Sequence, residues 1–209
     1  ATPMSADQPI VAFRMIAAPS GASNDVEPVI VHEAAKPGAL PSASGTYYST
    51  SGCGPSSRTV TGSVVTPVVT RLASNGGSVY LPGEAVLPVD VALDADHDEV
   101  AIIAAGNATI RALPQLYFMT TTGGDWSSPC GGVTSSSGPG PANVHLTAVA
   151  YRRDGQARSV VVQSREPAEL VLLPEQTHIA LGGVSKRDTG HLVFHSNSGR
   201  GASCASCHP

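Results

Sequence analysis

The sequence closes on Cys204-Ala205-Ser206-Cys207-His208-Pro209, and these residues carry the C-x-x-C-H pattern of c-type haem attachment. Two thiols one helical turn apart can each add to a vinyl group of the haem, and the adjacent imidazole then faces the iron as its proximal ligand. Cys204 and Cys207 are therefore the expected thioether anchors, His208 the expected axial ligand, and one covalent haem c the expected cofactor. No other stretch constrains the fold as much, because a haem needs protein on both faces. A disulfide, a thioredoxin-like redox pair and half a zinc site use the same cysteines. A redox pair belongs in a βαβ context, however, and a four-ligand zinc site needs a second ligand pair that the isolated Cys53 and Cys130 do not supply at finger-like spacing.

Upstream of this motif the composition points to β structure. Charged residues make up 13% of the chain and aromatics 4%, with 22 Gly and 17 Pro, while Val and Ala dominate the apolar set. This is the profile of short strands and many turns. A net charge of -4 provides no electrostatic footprint for nucleic acid. No apolar run approaches the roughly 18 residues of a membrane-spanning helix. The first residues, Ala1-Thr2-Pro3-Met4-Ser5, read as a mature end after signal removal or as an arbitrary boundary. Haem attachment takes place on the far side of an energy-transducing membrane, so the expected location is periplasmic or extracellular. Cys53 and Cys130 both lie in Gly-rich, loop-like segments. In an oxidising compartment a Cys53–Cys130 disulfide is expected, with two unpaired thiols as the alternative.

Taken in order, Pro9 to Ile16 and Val26 to His32 read as strand, loop, strand, and 36–58 as a long loop that Tyr47 and Tyr48 can pin. From Thr59 to Leu72 β-branched residues alternate around Pro67, which restricts that strand to an edge or splits it in two. Val86 to Leu93, Glu99 to Ala105 and Ala108 to Met119 form a strand–turn–strand–turn–strand unit. A second unit runs through Val144 to Tyr151, Arg158 to Gln163 and Ala168 to Leu173, roughly 57 residues further on. Residues 120–143, rich in Gly, Ser and Thr, read as an insertion between them. Asp94, Asp96, Asp98 and Glu99 are spaced like a calcium loop, but Glu99 stands where that loop requires Gly, which favours a solvated hairpin turn. His32, His97, His145 and His178 show no ligand-like spacing.

Two family resemblances follow from these residues. The stretch 89–110, V-D-V-A-L-D-A-D-H-D-E-V-A-I-I-A-A-G-N-A-T-I, resembles the strand, Asp turn, strand and G-N-x-T-I turn of YVTN-type β-propellers, and propeller-like repeats cover roughly residues 60–185. A β-sandwich with similar hairpins is the alternative. The approach to the motif, from Gly190 through the L-x-F turn of Leu192 and Phe194 to C-A-S-C-H, resembles the opening of a haem domain in the di-haem cytochrome c peroxidase superfamily. That likeness implies that Leu192 and Phe194 pack against the haem; His195 and His191 are candidate distal ligands, but their place just before the attachment helix favours capping or lining the domain surface. The expected fold class is mainly β: a partial β-propeller of antiparallel blades over residues 1–183, followed by the start of an all-α cytochrome c domain over 184–209.

The function expected from these readings is that of an exported c-type haem protein that transfers electrons, with peroxidase-like chemistry at a second haem as an extension. The alternatives are a propeller binding or assembly module whose haem is structural or merely conductive, and a haem-free scaffold whose terminal cysteines pair. Two or three blades do not close a ring, and a haem joined at Cys204 and Cys207 has no distal cover within this sequence. The expected partners are thus the remainder of the same polypeptide, or another chain, together with an electron-transfer partner. P-loop, Rossmann, H-E-x-x-H and G-x-S-x-G patterns are absent.

Overall fold

The computed structural model describes residues 8–19, 26–35, 65–72, 77–81, 85–94, 96, 99–108, 114–121, 133–137, 144–154, 157–184, 188–198 and 202–208. They form a mainly β structure of three four-stranded antiparallel sheets, each a meander in chain order. The first sheet holds β1 (Gln8–Pro19), β2 (Val26–Ala35), β3 (Val65–Arg71) and β4 (Ser78–Tyr80). β5 (Pro88–Asp94), β6 (Glu99–Ala104), β7 (Leu116–Thr121) and β8 (Val133–Ser137) make the second, and β9 (Leu146–Asp154), β10 (Ala157–Ser164), β11 (Glu169–Leu173) and β12 (Thr177–Ala180) the third. Among the described residues the one α-helix is α1 (Thr189–His195), which Asp188 caps by accepting from the amides of Gly190 and His191.

The sheets pack face to face, and the middle one is covered on both sides. Val29, Val31 and Val69 of the first sheet meet Val91, Val100, Ile102, Tyr117 and Met119 of the second. The opposite face of the second sheet, with Ala101, Ile103 and Leu116, meets Leu146, Val149, Val160, Val162, Val171 and Leu173 of the third. β6 therefore buries Val100, Ala101, Ile102, Ile103 and Ala104 without alternation, because neither of its faces reaches water. The strands that open each sheet, β1, β5 and β9, are linked by one carboxylate. Asp90 Oδ2 accepts from the Val149 amide at 2.8 Å, and Oδ1 lies 3.4 Å from Arg14 Nε.

Three sequence expectations change here. β3 is continuous and interior despite Pro67. The Leu81 amide donates to the Pro67 carbonyl at 3.0 Å, so this rung of the ladder makes the bond that needs no proline N–H, and the β3–β4 register proper begins at Val68. Residues 120–143 are not simply an insertion, since they contain β8, which pairs with β7 from Tyr117↔Ser137 to Thr121↔Val133. A strand at a sheet edge needs only a backbone ladder on one side, so its Ser/Thr-rich sequence lacks the apolar pattern that marks the others. The turn after Asp94 is solvated only in part, since Asp96 is exposed but Asp94 is not. The Asp94 side chain is fully buried, lies 3.0 Å from Arg158 Nε and also pairs with Arg153, so it ties the second sheet to the third. The loop expected over 36–58 lies outside the described residues.

Candidate functional site

The C-x-x-C-H motif folds as a 3-10 turn over Cys204–Ser206, and its side chains divide cleanly between core and solvent. Ala205 and Ser206 are buried, at 3% and 0% exposure, while Cys204, Cys207 and His208 all face outward. Both cysteines are free thiols. The turn is held locally by a capping box between Ser203 and Ser206, and the amides of Cys207 and His208 donate to the Cys204 carbonyl at 3.2 and 3.0 Å. Ala205 packs into the core between the second and third sheets.

Ser206 makes a contact that sequence reasoning missed. Its hydroxyl donates to Glu33 Oε1 at 2.9 Å, and the Leu87 amide donates to the same oxygen at 3.3 Å. Glu33 is fully buried, and among the described residues its Oε2 has no partner. Burial outweighs the two hydrogen bonds and raises its pKa from the ordinary carboxylate range to about 7. A sequence signal for this residue did exist: it is a lone acid in the apolar run Val29-Ile30-Val31-His32-Glu33-Ala34-Ala35.

The other candidates sit close by. α1 buries none of its residues, and it leaves Val193 66% and Phe194 38% exposed, with Leu192 half-buried. His191 and His195, four apart on this helix, meet edge to face with ring centroids 3.8 Å apart and Nδ1 atoms 2.5 Å apart. His195 Nδ1 also donates to the His191 carbonyl at 2.8 Å. The His145 ring lies 6.2 Å from that of His191. Desolvation, reinforced by neighbouring positive charge, holds the pKa values of His145 and His191 below the usual histidine range. Among the described residues no three His, Cys, Asp or Glu side chains are grouped to hold a metal ion. His32 is buried and hydrogen-bonds Thr70, and His178 lies 3.0 Å from Glu169 on the exposed edge of the third sheet. Cys53 and Cys130, with the disulfide expected between them, lie outside the described residues.

The chemistry available at the motif is that of two accessible nucleophilic thiols and one accessible imidazole on a turn whose remaining side chains are fixed in a core. No family model and no curated protein matches this sequence. Among the described residues no helix is long and apolar enough to cross a membrane.

Proposed function

We propose that this chain is an exported c-type haem protein that transfers electrons through one haem c joined to Cys204 and Cys207 and ligated by His208. The observation that carries the reading is the partition of the motif. The two intervening residues are buried, while the two thiols and the imidazole, the three groups the attachment chemistry uses, are free and exposed. A structural disulfide or a packed core turn would have no need of that division. When bound, the haem supplies a one-electron iron couple. The chain's own contribution is to anchor the macrocycle, present the imidazole and offer the apolar surface of Leu192 and Phe194 on the neighbouring helix as a wall that keeps water off it.

The three stacked meanders, joined through β1, β5 and β9, support reading the sheets as propeller blades. β12 is exposed along its whole length, and Ile179, Leu181 and Val184 remain largely uncovered, which supports further polypeptide on this side, from the same chain or another. Peroxidase-like chemistry belongs to this proposal only as an extension through a second haem. The test is production in a host with c-type cytochrome maturation, followed by denaturing electrophoresis with haem staining and intact-mass measurement. A stained band, one haem heavier than the polypeptide and lost in the Cys204→Ser/Cys207→Ser double variant, is expected. An unstained wild-type band overturns the reading.

A further inference from the structure

Glu33 lies on β2 with no exposed surface, and among the described residues no cation pairs with it. A buried carboxyl of this kind is destabilising unless its hydrogen bonds compensate. Those it makes converge on one oxygen and come from two other parts of the chain: the Leu87 amide just before β5, and the hydroxyl of Ser206 inside C-x-x-C-H, 173 positions away. Leu87 itself adopts a left-handed backbone, φ 57°, and its carbonyl accepts from Ala105 at 3.0 Å, so this strained residue is held from both sides.

The hydrogens on the motif side are accounted for. Ser206 Oγ has one hydrogen and gives it to Glu33, so the Ser203 hydroxyl, 3.1 Å away, donates to Ser206, whose oxygen also accepts from the Ser203 amide at 3.1 Å. The two buried hydroxyls of the turn thus connect, directly or through Ser206, to the Glu33 carboxyl.

We propose that Glu33 is the positioning residue of haem attachment, seating Ser206 against β2 beside the segment that precedes β5, so that Cys204, Cys207 and His208 are presented outward on a turn that is already folded. The proposal rests on the haem reading above and extends it. The attachment turn is held by the β core, not by the haem, and the first 35 residues of the sequence contribute a side chain that the attachment site requires.

The experiment compares wild type, Glu33→Gln, Glu33→Ala and Ser206→Ala. Gln keeps an acceptor oxygen for Ser206 and Leu87, whereas Ala removes it. In haem-free protein, hydrogen exchange is read at the Ser206, Cys207 and His208 amides, with the β10 amides as internal reference. The expected result is exchange at least about tenfold faster in Glu33→Ala and Ser206→Ala, wild-type rates in Glu33→Gln and unchanged β10 protection. In a maturation-competent host, haem per chain falls several-fold in the same two variants and is rescued by Gln. Equal exchange rates in all four proteins, or a Gln variant as fast as Ala, overturn the proposal. If Glu33→Ala does not fold, Ser206→Ala, which removes one hydroxyl, decides alone. A wild type that takes up no haem overturns the haem reading, while the exchange measurement still judges the anchor.

Discussion

Replacing Glu33 with Gln should abolish a specific pH dependence of stability. In the folded chain burial raises the carboxyl from its ordinary value of 4.5 to about 7. Between those values the native state holds a proton that the unfolded state has released. The stabilisation is therefore complete below the unfolded value and lost as pH rises through the folded one. A shift of this size corresponds to roughly 3 kcal/mol in full, of which about 2–3 kcal/mol accrues between pH 5 and pH 8. Urea unfolding at several pH values across that window measures it. Wild type should lose about 2–3 kcal/mol relative to Glu33→Gln as pH rises. The comparison with Gln matters because His32 and His145, held below the usual histidine range, contribute the opposite slope: their stabilisation is present above about 6.5 and lost as pH falls below it. If the difference between the two proteins is flat with pH, or grows in favour of wild type, the reasoning about the Glu33 environment fails.

Other perturbations have equally definite outcomes. Cys204→Ser with Cys207→Ser should change unfolding stability of the haem-free chain by no more than about 0.5 kcal/mol, because both thiols are exposed, and a larger loss in urea titration would mean that they pack. Gly106→Ala should cost about 1–3 kcal/mol by the same assay, since an added Cβ would lie 2.7 Å from Val86 Cγ1 and 2.9 Å from the Val86 carbonyl, which is backbone. It should also loosen the segment after α1, whose Asn197 amide donates to the Gly106 carbonyl at 3.0 Å, a change visible as faster exchange at Asn197. Ile102→Ala, at a fully buried position between the first two sheets, should cost about 2–5 kcal/mol in urea unfolding.

The parts of the fold that were legible in the sequence are those where burial imposes a pattern. The hairpin from Val144 to Gln163 shows as two apolar runs around an Asp-Gly turn, and its strands pair from Leu146↔Ser164 to Asp154↔Ala157. The fourth strand of each sheet was not legible. β4 has three residues, β8 is Ser/Thr-rich and β12 is exposed throughout, so none bears an apolar alternation. Pro67 misled because a proline is excluded only where its missing N–H is needed, and that depends on how far the neighbouring strand extends. At the candidate site the spacing of the two thiols and the imidazole is a local pattern, so the sequence displays it directly. The role of Glu33 was not legible, because it depends on a contact between distant segments that no local pattern encodes.

That contact has a kinetic meaning. Closing a loop of 173 residues in an open chain costs on the order of 4–5 kcal/mol in entropy, far more than one hydroxyl–carboxyl bond returns. The bond becomes favourable only after the three meanders, each built from neighbours in sequence, have stacked and brought β2 and the segment before β5 into place. The turn that holds Cys204 and Cys207 therefore docks late in folding. Docking fixes where the two thiols point but does not shield them, since both face outward in the folded chain.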